Sequence, residues 1–308
     1  MARSLPLEAL CACLLIIAGS AFAEPAVLFV GEEEAPKFRE FGTQIRSALR
    51  RAGNPEILSW PLDQAMGRRG PLPESLHLIV ALGTHPARWA RDNSGGLPVV
   101  FGMVLNPQPD LVESLERPPP GITGACLNLP AEPIVTVLRK LLPRVRRIGV
   151  LHTSRETLEP VREIEAVAAS VGLACRAVTV DSPSGIEPAL RELLPAIDLI
   201  WALADSKVFT PAGARVVLER AMAARVPVLG YSKPMATAGA LLAVYPDFAE
   251  SAHQAGELAA GALQKGVATV RPIARPTRPV VAVNRRVLDL LGLSLSEEAS
   301  SLVQEWIQ

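Results

Sequence analysis

The stretch LIWALADSKVFTPAG, residues 199–213, decides how the chain is read. Residues 199–204 form an unbroken apolar run of strand length, the pattern of a parallel strand covered on both faces. The run stops at a carboxylate, Asp205, passes through Ser206 and Lys207, and reaches Thr210-Pro211, a capping residue followed by a proline suited to a first helical turn. Strand, polar turn and helix start in succession make one βα unit. Ligands of open parallel sheets collect at the carboxyl ends of strands, so Asp205 either opens the turn or meets a cationic group from outside the chain.

The unit recurs in both directions. Residues 26–30 are strand-like, and Phe38, Phe41, Ile45 and Leu49 then repeat at helical spacing until Gly53. Further strands are predicted over 57–60, 76–82 and 99–105. The second half repeats the scheme with strands over 148–151, 175–180, 199–204 and 226–229. Between them lie helices through Val161, Ile164, Ala168 and Val171, over 186–194, and through Val217 and Ala221. Such alternation predicts α/β architecture with parallel sheets covered by helices on both faces.

With 308 residues, 49% of them hydrophobic, the chain can bury a sizeable core. Lysine plus arginine equals aspartate plus glutamate at 31 each, so no basic field exists to hold a phosphate backbone, and nucleic acid is excluded as a partner. The opening MARSLPLEALCACLLIIAGSAFA reads as an export signal, with Arg3, an apolar core over 9–18 and a small-x-small cleavage site at Ala21-Phe22-Ala23. A soluble protein in the periplasm, beginning at Glu24, is expected. Cleavage removes Cys11 and Cys13. The remaining Cys126 and Cys175 could bridge in an oxidising compartment, but in a chain with an ample core they read as separate buried thiols. No CxxC pair survives, and His77, His85, His152 and His253 lack ligand spacing, so neither metal nor cofactor is expected. Glu32, Glu33 and Glu34 read as solvated acids that complement the dipole of the following helix.

Residues 116–130, ERPPPGITGACLNLP, forbid helix at the prolines and permit sharp turns at the glycines, as a crossing between two lobes requires. From about Gly83 onward, the stretches LIVALGTHPA, GITGACLNLPAEPIVTVLRKLLPRVRRIGVLHTS, ADSKVFTPAG, RVPVLGYSKPMATAGALLAVYPDFAESAHQAGELAAGAL and VAVNRRVLDLLGL follow in a telling order and spacing. In these the chain resembles the type I periplasmic solute-binding proteins of ABC transporters, in particular the bacterial family that includes tryptophan- and tyrosine-binding members. The resemblance implies two doubly wound parallel-sheet, Rossmann-like lobes joined by a hinge that the chain crosses three times. Residues 24–120 with 246–275 would form the N-terminal lobe, residues 121–245 with 276–308 the C-terminal lobe, and residues 1–23 the signal. It also implies a monomer that closes on a small-molecule ligand and delivers it to an ABC permease and ATPase in the inner membrane.

Candidate ligand-binding residues lie at the strand ends. Gly83 and Thr84 start a helix whose free N–H groups favour a carboxylate, and Thr153 and Ser154 repeat that arrangement across the gap; a plain helix cap is the alternative at both. Relatives with an acid at the position of Asp205 suggest that it holds a ligand ammonium, with Ser206 beside it. The alternatives are a turn-capping Asp or neutralisation by Lys207. On that reading Asp205→Ala removes binding and leaves the unliganded melting point nearly unchanged. Tyr231, Ser232, Tyr245 and Asp247 complete the far side, with Phe101, Tyr231 and Tyr245 as apolar lining and Trp201 in the core. Amino-acid-binding relatives often carry a Thr-Asp-Pro turn after the fourth strand. This chain has FGMVLNP, which supplies Met103 and Asn106 instead of a carboxylate, so the ligand class is not simply inherited.

Three functions fit: a solute-binding protein of an importer, a ligand sensor signalling to a membrane receptor, and a two-lobed α/β enzyme. The last is disfavoured because GYSKP lacks the second glycine of a nucleophile elbow and no phosphate-cradling loop is present.

Overall fold

The computed structural model describes residues 25–31, 35–108, 110–265 and 272–308. The export signal and the triplet Glu32 to Glu34 lie outside the described residues. The first lobe contains β1 (Ala26–Gly31), α1 (Pro36–Ala52), β2 (Glu56–Trp60), α2 (Leu62–Gly67), β3 (Leu76–Leu82), α3 (Thr84–Asn93), β4 (Val99–Val104) and β5 (Ile122–Cys126). Its five strands are all parallel in the order β2-β1-β3-β4-β5. β1 is buried along its whole length, as strands covered by helices on both faces must be.

The second lobe opens with α4 (Ala131–Leu141), β6 (Arg147–His152), α5 (Leu158–Ser170), β7 (Ala174–Thr179), α6 (Ile186–Leu193), β8 (Leu199–Trp201), α7 (Pro211–Ala223), β9 (Val228–Gly230), α8 (Lys233–Ala238) and β10 (Leu242–Pro246). The chain then leaves in α9 (Phe248–Lys265) and returns with β11 (Pro279–Asn284), α10 (Arg285–Leu290), α11 (Glu297–Ser300) and β12 (Glu305–Ile307). This sheet runs β12-β11-β10-β9-β8-β6-β7, and β10 with β11 is its antiparallel pair. Leu199 and Trp201 face one core of this lobe while Ile200 and Ala202 face the other, which is why the apolar run shows no alternation. The ordered strand ends at Trp201, short of the expected 204.

Three segments cross between the sheets: the link after β5, the turn from β10 into α9, and the link into β11. The first leaves after Cys126. A lobe boundary at 120 would assign β5 to the second sheet, but β5 pairs with β4 in the first. This pairing needs glycine, since a Cβ on Gly124 would lie 2.4 Å from the Phe101 carbonyl oxygen. The excursion of α9 has an equally concrete cause. Its buried face is Ser251, Ala252, Ala255, Gly256, Ala259 and Ala262, small enough to lie directly on α1, where Gly256 faces Ala48. On its way back, Ala274 bridges to Ala125 alongside β5.

Each sheet reverses its winding once, between β1 and β3 in the first lobe and between β6 and β8 in the second. Gly31 ends β1 and Gly83 follows β3 at one switch point, and Thr153 and Asp205 follow the strands at the other. Crevices at such points are where doubly wound sheets take ligands. Among the described residues, no helix is long and apolar enough to cross a membrane.

Candidate functional site

A cavity of about 90 Å³ lies where the carboxyl ends of β8, β9 and β10 meet the crossing segments. Its walls are largely apolar, with Leu105, Leu127, Trp201, Leu203, Leu229 and Val244 among them, and Tyr231 and Asn106 reach it from opposite lobes. A polar chain runs along one side. The Asn106 backbone N–H donates to Asn128 Oδ1 at 2.7 Å, Asn128 Nδ2 donates back to Asn106 Oδ1, and Asn106 Nδ2 crosses to the Ala204 carbonyl at 2.8 Å. Asn106 adopts φ 45°, a left-handed conformation that asparagine tolerates better than most side chains. The Arg275 guanidinium donates to the carbonyls of Asn128 and Leu129 and to Glu163 Oε2, and Glu163 Oε1 accepts the Ala131 N–H. Arg275 thus ties the first and third crossings to α5.

The carboxyl edge of the second sheet is stitched by three acids. Asp205 is only 2% exposed. Its Oδ2 accepts the Thr153 N–H, the Thr153 hydroxyl and the Thr157 hydroxyl at 2.7–2.8 Å, while Oδ1 accepts the N–H groups of Lys207 and Val208. Burial alone would push its pKa up, but the bonds from Thr157, Val208 and Thr153 outweigh that and hold the carboxyl below its ordinary range. The expectation that Asp205 presents its charge to a ligand ammonium is therefore corrected. Both oxygens are occupied by this chain's own donors, and the turn-holding alternative describes what is seen. Lys207 meets Asp205 through its backbone N–H. Ser154 gives its N–H and hydroxyl to Asp181, and Ser206 gives the same pair to Glu156. So Thr153, Ser154, Asp205 and Ser206 do come together, as loops pinned to one another.

The remaining candidates divide. Gly83, at φ 105°, is the N-cap of α3, and its N–H donates to Gly102. Thr84 is half-buried at the first helical position, and among the described residues no side chain caps the start of α3, so the N–H groups of its first turn face the switch point without a described partner. Met103, also left-handed at φ 57°, packs against the first lobe's core. Tyr231 stacks edge-on with Phe209, and its hydroxyl pKa is raised by burial, then by the nearby charges of Asp205 and Glu156. Ser232 is the N-cap of α8. Tyr245 is buried in its own small cluster with Ala236, Ala243 and Ala282, away from the cavity walls; burial first, and Glu305 next, raise its pKa. Asp247 is likewise engaged in structure, accepting the Ala249 N–H at the start of α9 and lying 3.7 Å from Arg278.

Asn128, Thr157, Glu163 and Arg275 are site residues that pattern reading misses. Asn128 sits in the quoted crossing segment between two leucines and offers no motif. Glu163 and Arg275 meet only because α5 and the third crossing converge, a long-range fact without a local signal. Cys126 and Cys175 are both free thiols, one in each sheet. Among the described residues, no cluster of His, Cys, Asp or Glu could hold a metal ion.

The family model described as ABC transporter substrate binding protein matches residues 71–307. A tyrosine-binding protein of Clostridioides difficile strain R20291 is 22% identical over 222 residues, which are 70% of this chain and 63% of that relative. The match thus spans less than two thirds of the relative's length. The ABC domain from Streptococcus pneumonia, solved in complex with L-Trp, superposes with TM-score 0.68 at 19% identity, covering 92% of this chain and 100% of that one. A ligand-free, open substrate binding protein with adhesive properties from Clostridium difficile gives TM-score 0.70 at 18% identity, covering 92% of this chain and 99% of that one. At such identities these structures establish the fold: two lobes of the type I periplasmic binding protein kind.

Proposed function

Since the chain belongs to the ABC transporter substrate binding protein family, we propose that it captures a small amino-acid-like ligand between its lobes and hands it to a membrane permease driven by an ATPase. One observation carries this reading: the loop after β4 meets the carboxyl ends of β8, β9 and β10 around one cavity, and Asn106 spans it to Ala204. The N–H groups at Thr84 suit a ligand carboxylate, and the apolar walls with Tyr231 suit an apolar body. The names of the tyrosine-binding relative and the tryptophan complex point the same way. Asp205 takes the role of a positioning residue, holding Thr153 and Thr157 in place. Hinge closure about the three crossings would bring the two edges together, and the ligand leaves chemically unchanged. Export to the periplasm as a monomer completes the proposal.

A thermal-shift screen of amino acids, nucleobases, small carboxylates and sugars tests it. A true ligand at a hundredfold excess over its Kd stabilises the folded chain by about 2.7 kcal/mol. A panel without any shift, or a hit that mass spectrometry finds altered by the pure protein, contradicts the reading.

A further inference from the structure

The lobes are also joined by a charged contact outside the crossing segments. Asp110, in the first lobe beyond β4, is anchored at home: its Oδ2 pairs with Arg88 and its carbonyl accepts from Arg91, both on α3. The other carboxylate oxygen, Oδ1, accepts the Arg155 guanidinium of the second lobe at 2.8 Å. Arg155 stands in the turn between β6 and α5, beside Ser154 and Glu156, which pin that turn to its neighbours. Its side chain is 79% exposed, against 35% for Asp110.

We propose that Arg155 is a latch across the gap, a positioning residue that favours the closed arrangement of the lobes before any ligand arrives. The inference rests on the hinged reading given above. Asp110 rides with α3 and Arg155 with β6, so opening the hinge must part them. A solvent-exposed ion pair usually does little because two flexible side chains must be ordered and salt screens them. Here the α3 arginines have already ordered the acid, and only Arg155 has freedom left to lose. The bond from Asn106 to Ala204 also ties the gap, but it is uncharged and screening does not touch it. Charge at Arg155 therefore sets a salt-sensitive part of the balance, a change of about two- to fivefold in the closed-to-open ratio.

Small-angle scattering of the full chain without added ligand tests this, with sodium chloride raised from about 0.05 M to about 1 M, where the screening length falls to ~3 Å. The wild type is expected to expand with salt. Arg155→Ala is expected to be expanded already at low salt and to ignore its increase, while Arg155→Lys follows the wild type. Identical low-salt profiles for wild type and Arg155→Ala, or a salt response that survives in Arg155→Ala, overturn the latch. L-tryptophan and L-tyrosine serve as probes that separate this from the wider reading. Their compaction of wild type and Arg155→Ala alike, from indistinguishable unliganded profiles, refutes the latch and leaves ligand capture standing. The salt pattern without compaction by either probe upholds the latch and counts against capture of aromatic amino acids.

Discussion

Asp205, its pKa held low, lies almost wholly out of water and among the described residues has no ion-pair partner; five donors of its own chain replace that solvation. Removing the acceptor strands those donors in place. Asp205→Ala should therefore lower the unfolding free energy of the unliganded protein by ~1–3 kcal/mol in denaturant titration, the range for orphaned buried donors. An unchanged apo midpoint with ligand binding lost would restore the ammonium-contact role. The lowered pKa also has a pH signature. The group's stabilising contribution is fully present above the unfolded value of ~3.9 and is lost as pH falls through the folded value, so the acid limb of the wild-type stability curve should flatten in Asp205→Ala. The two thiols give a simpler test. Burial, then Glu165, pushes Cys175 up to about 11, and burial raises Cys126 as well. Both should resist alkylation at neutral pH in the folded chain and both should react once it is unfolded. A pair that stays blocked after unfolding without reductant would indicate a disulfide.

At the scale of elements, glycine and alanine decide where segments may approach. Gly124→Ala drives a Cβ against the backbone of β4, which cannot swing aside as a side-chain tip can, and should cost about 2 kcal/mol or more. Gly256→Leu should separate α9 from α1 at a cost of ~1–3 kcal/mol, while Gln264, exposed near the end of the same helix, tolerates Ala. Equal stability of Gly256→Leu and Gln264→Ala in the same titration would contradict this packing. These contacts also mark the limit of what pattern reading could reach. The long apolar strands and amphipathic helices were legible because covered parallel strands and one-sided helices write their burial into local periodicity. β5 escaped because ITGAC is short and flanked by prolines and glycines, the marks of a turn, and only the close fit of Gly124 against Phe101 makes it a strand. β10 escaped for a related reason, since its last residue, Pro246, reads as a stop. At Asp205 the residue type and strand-end position were legible, but the direction of the carboxylate depends on Thr157, which is adjacent in space and remote in sequence.

The whole molecule joins two independently cored sheets through segments that Arg275, Glu163, Asn128 and Asn106 hold together. On the hinged reading proposed above, such a joint would concentrate motion in a few residues and leave each lobe to move as a unit, the arrangement that closure around a ligand requires. A solute seated at the gap touches both lobes and so can shift their balance, whereas a molecule on the outside of one lobe cannot. The most direct measurement is therefore a crystal structure of the chain with whichever compound gives the largest thermal shift. That compound is expected enclosed between the lobes, in contact with Asn106 and Tyr231, with Asp205 still bonded to Thr153. The same compound found on the outer face of a single lobe, with the gap unchanged, would contradict it.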